Sequence, residues 1–255
     1  MPLTVTTVPC LQDNYAFIIG NTDTREAALV DIPQAEPINA ALAAGGWRLT
    51  TVLITHHHWD HIDGLGGLDR KGPVQVIGAA ADAHRLPTLD CAVSDGDIVS
   101  VLGEDMTVID VSGHTLGHVA FHFPAAKLAF TADSLMALGC GRLSEGTPAQ
   151  MWHSLKKLRH LSADTLIFSG HEYTQNNAAF ALTLDPQNSD LISRAQDIEN
   201  ARAANRPTVP SRLDLEILTN PFLRADTPQV MAQLGMSDAT PVEVFAEIRQ
   251  RKDKF

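Results

Sequence analysis

The stretch Leu53–Gly67, "LITHHHWDHIDGLGG", decides how the rest of the chain reads. It leaves an apolar run, crosses four of the chain's eleven histidines and two aspartates, and ends in glycines. The near-continuous apolar approach, "TVLITHH" (51–57), fits a strand covered on both faces. Side chains alternate in an extended segment, so His56 and His58 point to one side. Asp60 continues that alternation, and His61 sits next to it. His57 points the other way and reads as structural. Packing such groups side by side without a metal would carry a heavy desolvation cost. Imidazole and carboxylate suit zinc, iron or manganese better than calcium or magnesium. Gly64, Gly66 and Gly67 allow close turns beside the cluster.

One such cluster does not complete two metal shells. Three further candidates each follow an apolar, strand-like run: His114 in "VIDVSGHTLGH", Asp133 in "LAFTADSL" and His171 in "TLIFSGHEY". With the first cluster they make five histidines and two aspartates, enough for two metals at three protein ligands each plus a shared carboxylate. His84, His153 and His160 read as surface or satisfied core residues. His118 and His122 flank or lie in a strand and read as structural, with His118 placed to support the ligands from behind.

The rest of the chain bounds the class. Its 255 residues suffice for one large domain or a core with an appendage, and 44% hydrophobic with 19% charged residues is ordinary globular composition. No apolar run approaches a membrane span, and the N-terminal "MPLTVTTVPCLQDNY" lacks a basic leader with an apolar core, so neither span nor signal peptide is expected. Cys10, Cys91 and Cys140 are few, odd in number and widely spaced, which fits a reducing cytoplasm rather than a disulfide framework. A net charge of −11 argues against nucleic acid. Up to about residue 170 the pattern is short strands with a few helices. "PINAALAAGGW" reads as a helix ending at glycines, and "TPAQMWHSLKKLRHL" as one opening with a capping box from Thr147 to Gln150. Beyond that point, a helix is expected from Asp185 and Pro186, an extended surface segment over "RPTVPSRLDLEILTNPFLR", and a terminal helix opening with a box from Thr240 to Glu243. The expected class is α/β (α+β): a β-rich metal-bearing domain followed by a smaller helical one.

Several motifs carry a specific resemblance. T-H-x-H-x-D-H at Thr55–His61, G-H-T-x-G-H at Gly113–His118, the aspartate of "TAD" and the histidine of "SGHEYT" resemble the metallo-β-lactamase superfamily. "LQDNYAF" near the start, "GCGRLSEGTPAQMW" from Gly139, "GHEYTQNN" from Gly170, "NPFLR" from Asn220 and the terminal "RQRKDKF" extend the likeness nearly end to end. Within the superfamily the chain is similar to glyoxalase II, the hydroxyacylglutathione hydrolases. The resemblance implies a four-layer αβ/βα sandwich, a catalytic domain over 1–172 and a helical substrate-binding domain over 173–255. It also implies a division of ligands: His56, His58 and His114 on one metal, Asp60, His61 and His171 on the other, and Asp133 bridging both. The cofactor expected is two divalent ions per chain, zinc first, iron or manganese otherwise. The implied reaction is hydrolysis of S-D-lactoylglutathione to D-lactate and glutathione, the second step of methylglyoxal detoxification, by a hydroxide bridging the metals.

The glutathione moiety carries two carboxylates, so an acidic chain needs a local cationic grip. Arg249 and Lys252 are three apart and share a face of the terminal helix. The resemblance assigns them to the glycyl carboxylate, with Arg142 and Tyr173 as further contacts. Taken alone, cations at a helix end are ordinary solvated residues that favour the dipole. One departure stands out: Ser144 occupies a position where the family usually has an aromatic residue that contacts glutathione, which predicts weaker or altered binding there. Two other enzyme readings remain on the same scaffold: an iron-dependent glutathione persulfide dioxygenase, and a nuclease or β-lactamase. A non-catalytic metal-storage or partner-binding module is a third alternative. The full seven-residue ligand set and the terminal "RKDKF" favour the hydrolase, acting as a monomer on a small molecule, away from nucleic acid and membrane.

Overall fold

The computed structural model describes residues 3–255. The chain forms two compact units: one runs to Val111 and takes in Leu116–Thr131, the other comprises Ser112–Thr115 and Ala132–Phe255.

In the first unit, β1 (Leu3–Cys10), β2 (Asn14–Asn21), β3 (Glu26–Val30), β4 (Arg48–Ile54), β5 (Gln75–Ala79) and β6 (Cys91–Val93) form a sheet in sequence order. β1 to β3 pair antiparallel and β3 to β6 pair parallel. The apolar run before the histidines is therefore an interior parallel strand, β4, as its lack of alternation requires. Helix α1 (Ala35–Gly45) covers one face, burying Ile38 and Leu42 against Val8, Ile18, Leu29, Val52 and Val76. It ends as expected at glycine: Gly46, at φ +62, takes the left-handed cap that a Cβ would disfavour. Antiparallel strands β7 (Ile98–Val101), β8 (Glu104–Asp110), β9 (Val119–Phe123) and β10 (Leu128–Ala132) follow. They pack on the first sheet: Phe17 of β2 lies 5.7 Å from Phe130 of β10, and Asn21 Nδ2 donates to Leu102 O at 2.9 Å. Residues that leave the carboxyl ends of parallel strands line the functional edge of such sheets. Here those are Asp31 after β3 and the histidine cluster after β4, which opens into the short helix α2 (Trp59–Ile62).

The second unit holds a hairpin of β11 (Leu135–Met136) and β12 (Gly139–Cys140), then α3 (Pro148–Arg159) and β13 (Leu166–Ser169). Helix α3 has the expected reciprocal box between Thr147 and Gln150, and buries Met151, Trp152, Leu155 and Leu158. Two expectations for the C-terminal part need correction, and one helix was not foreseen. Thr174–Leu184 forms a helix, α4, which carries no side-chain cap and so gave no start signal. The next helix, α5 (Ser189–Ala203), begins at Asn188, whose side chain caps it; Asp185 instead lies buried in an ion pair with Arg224. The segment expected to run extended over the surface is largely interior. It contains β14 (Ser211–Arg212), paired with β13, and α6 (Leu213–Thr219), with Leu213, Glu216 and Phe222 all 0% exposed. Helix α7 (Pro228–Gln233) and the terminal α8 (Pro241–Asp253) follow, the latter with the expected Thr240–Glu243 box. Trp152 of α3 meets Phe245 of α8 at 6.1 Å. The buried Glu216 carboxylate receives Arg194, Asn220 Nδ2 and the Leu138 N–H, and Asn220 Nδ2 also donates to Met136 O and Gly139 O. "NPFLR" thus holds the β11–β12 hairpin in place. Among the described residues no helix is long and apolar enough to cross a membrane.

Candidate metal centre

The first unit brings His56, His58, Asp60 and His61 together. The His56 ring lies 4.7 Å from that of His58 and 4.2 Å from that of His61. Asp31, which the sequence reading did not single out, organises them. Its Oδ2 accepts from His61 Nδ1 at 2.7 Å and from the Thr55 hydroxyl at 2.8 Å, and its Oδ1 accepts from the Thr55 N–H at 2.9 Å. Thr55 Oγ1 in turn lies 3.0 Å from His56 Nδ1. Because the hydroxyl's own proton goes to Asp31, His56 Nδ1 must be the donor. Both imidazoles are thereby locked with Nδ1 protonated and Nε2 as the metal-facing nitrogen. Asp31, His56 and His61 offer donor atoms within 4.8 Å of one another, but both Asp31 oxygens are engaged, so Asp31 is a brace rather than a ligand. It sits at φ +56, a strained conformation for a non-glycine residue of the kind that gathers at functional sites.

The other histidines fall where expected. His57 turns away to Asp82, Nδ1 to Oδ2 at 3.1 Å, and Asp82 is also held by Arg85. His118, fully buried, stacks on His56 at 4.6 Å with planes 10° apart, and supports it from behind. His84, His153 and His160 are exposed, and burial holds the His122 imidazole below its usual range.

The second unit brings His114, Asp133 and His171 together. Asp133 Oδ2 lies 3.5 Å from His114 Nε2 and 3.3 Å from His171 Nε2. These separations test the fit to a metal. Bonds of about 2.0–2.2 Å to nitrogen and oxygen at a tetrahedral angle place the two donor atoms about 3.4 Å apart. One carboxylate oxygen therefore stands at ligand-to-ligand distance from two different imidazoles, and the donor set fits divalent zinc, iron or manganese. His114 Nδ1 donates to Arg142 O at 2.8 Å, which commits its Nε2 to the same side. Gly141 is obligatory beside it, since a Cβ there would lie 1.9 Å from Asp133 O. His171 stacks on Tyr173 at 4.7 Å. Burial pushes the Cys10 and Cys140 thiols up to about 11, so neither is poised as a thiolate ligand or nucleophile.

The cationic residues also meet within the second unit. Arg249 is 5% exposed; its guanidinium donates to Cys140 O at 2.9 Å, pairs with Asp253 at 2.8 Å and lies 5.1 Å over the Phe222 ring. Lys252 Nζ lies between the Phe180 and Phe255 rings, at 5.2 and 5.1 Å, and donates to Asn176 O. Its ammonium is pulled down from 10.5 to about 8, first by burial, then by the charges of Arg249 and Arg142. Three cations thus feel one another, an arrangement that an incoming carboxylate relieves. Ser144 and Tyr173 are exposed.

A family model described as "Hydroxyacylglutathione hydrolase C-terminus" matches residues 172–255, and one described as "Metallo-beta-lactamase superfamily" matches 14–171. A hydroxyacylglutathione hydrolase of Ruegeria pomeroyi is 60% identical over 255 residues, spanning 100% of both chains. Another from a Jannaschia species is 60% identical over 98% of each. Among solved structures, ETHE1 from Myxococcus xanthus shares the fold with a TM-score of 0.68 at 23% identity, covering 98% of this chain and 90% of that one. End-to-end identity at this level, with both family models matched in order, leaves one assignment: the chain belongs to the hydroxyacylglutathione hydrolase family of the metallo-beta-lactamase superfamily.

Proposed function

We propose that the chain hydrolyses S-(2-hydroxyacyl)glutathione thioesters, S-D-lactoylglutathione foremost, in the second step of methylglyoxal detoxification. In this reading two divalent ions are held by His56, His58 and His114 and by Asp60, His61 and His171, with Asp133 shared. Zinc is the first expectation, and iron or manganese suit the same donors. The observation that carries it is the single Asp133 oxygen at 3.5 and 3.3 Å from two imidazole nitrogens.

Bound divalent ions supply two things: a water acidic enough to ionise near neutral pH, and a polarised thioester carbonyl. The protein's own groups do the rest. Asp31, through Thr55, and the Arg142 carbonyl fix which nitrogen each of three histidines presents. Arg249 and Lys252 hold the glycyl carboxylate, with Arg142 and Tyr173 as further substrate contacts. The departing thiolate is a good leaving group, so no side chain is needed as a strong general acid. Residues 173–255 serve mainly to bind substrate, and the chain works as a cytoplasmic monomer on a small molecule.

Elemental analysis beside an S-D-lactoylglutathione hydrolysis assay tests site and reaction together. Two metals per chain and thioesterase activity are expected, with both metal and nearly all activity lost in Asp133→Ala. Full activity in that variant would sink the shared-carboxylate mechanism. Oxygen uptake with glutathione persulfide, without thioester hydrolysis, would point to the dioxygenase reading instead.

A further inference from the structure

Asn14, the first residue of β2, belongs to "LQDNYAF", a stretch to which no role has attached so far. It is 5% exposed, and its amide Nδ2 donates twice to one residue: to the Asp60 backbone carbonyl at 3.1 Å and to Asp60 Oδ2 at 3.0 Å. A primary amide has two N–H donors, and both go to Asp60. Holding a backbone oxygen and a carboxylate oxygen with one nitrogen fixes the side chain's rotamer. Asp60 needs such a hold, because it sits in a four-residue helix with no side-chain cap. The hydrogen bond to Oδ2 fixes how the carboxylate is turned when it meets a metal.

We propose that Asn14 is a positioning residue for one of the two metals: it holds the Asp60 carboxylate in the orientation in which it serves as a ligand. The affinity of the ion assigned to Asp60, His61 and His171 then depends on Asn14, while that of the ion assigned to His56, His58 and His114 does not. This rests on the two-metal reading above.

The test is a zinc titration of the chelator-stripped full chain against a competing chromophoric chelator, with bound zinc counted by elemental analysis. Wild-type protein is expected to take two zinc ions. Asn14→Ala should weaken one binding step about 10–100-fold, the usual effect of losing a partner behind a ligand, and leave the other step nearly unchanged. Asp60→Ala should lose that same step, and adding Asn14→Ala to it should change zinc binding no further, since the residue acts through Asp60. Asn14→Asp, nearly the same size with an acceptor in place of the donor, should reproduce the selective loss. Equal weakening of both steps, no weakening, or a further loss in the Asp60→Ala background would overturn the proposal. So would unfolding of both Asn14 variants before zinc is added, because Asn14 would then hold the fold rather than the ligand. A wild-type protein that takes fewer than two zinc ions would instead overturn the two-metal reading itself.

Discussion

Asp31 gathers three hydrogen bonds on two oxygens, at 2.7, 2.8 and 2.9 Å, in a site where it is 2% exposed. Replacing it with alanine leaves the Thr55 and His61 donors buried without their acceptor, a cost of about 3 kcal/mol. It also releases the His61 and His56 tautomers, which should lower zinc affinity about 10–100-fold. Urea unfolding and a zinc competition titration read the two effects separately, and unchanged zinc affinity would show that Asp31 does not orient the ligands. The histidines were legible in the sequence because they are neighbours in it, and their alternation is a local fact. Asp31 was not, because its partners lie 24 and 30 positions away and only the parallel pairing of β3 with β4 brings them together. Asn14 was hidden the same way, 46 positions from Asp60. At Ser144 the sequence spoke by departure alone. Ser144→Tyr should lower KM for lactoylglutathione by restoring ring area beside the peptide; an unchanged KM would mean that position does not touch the substrate.

Helix α8 shows what an element's pattern gives and withholds. Its capping box and its length are written in local sequence, and so is the face shared by Arg249 and Lys252. That Arg249 is buried against Cys140 and Phe222, while Lys252 is squeezed between two phenyl rings, comes from packing with β12, α4 and the residues after α6. The same packing explains why α4 and the interior course of 206–224 escaped the sequence reading. Both are fixed by contacts with distant residues rather than by caps or periodicity. The depressed Lys252 ammonium has a consequence for catalysis. It is protonated below about 8 and neutral above, so the grip on the glycyl carboxylate loses one of its cations as pH rises through that value. The profile of kcat/KM, which reports free-enzyme ionisations, should therefore fall above about pH 8 through KM, with kcat little changed. Lys252→Arg, which stays charged throughout, should abolish that inflection. A profile unaltered by the substitution would assign the inflection elsewhere.

On the scale of the whole molecule, the ligands proposed for the two ions are spread along the chain from residue 56 to residue 171. His56, His58, Asp60 and His61 follow β4, whereas His114 follows β8, Asp133 follows β10 and His171 follows β13. An ion that binds the folded chain and not the unfolded one adds stability of RT ln(1 + [L]/Kd), about 4 kcal/mol when free metal stands a thousandfold above its dissociation constant. For a chain of 255 residues each kcal/mol moves the midpoint by about 2–4 °C, so chelation should lower Tm by roughly 10 °C. The shape of the transition carries more information than its position. Ions that tie such distant stretches of chain together should make the loaded protein melt in one cooperative step. The stripped protein should melt over a broader range, as those stretches then rely on core packing alone. Scanning calorimetry on the loaded and chelated forms of the same preparation makes the comparison. Asp133→Ala should behave like the chelated form whether or not zinc is supplied, because the carboxylate shared by both ions is gone. Superimposable traces for loaded and stripped protein would mean that the metals do not tie these stretches together, and the division of ligands proposed above would have to be redrawn.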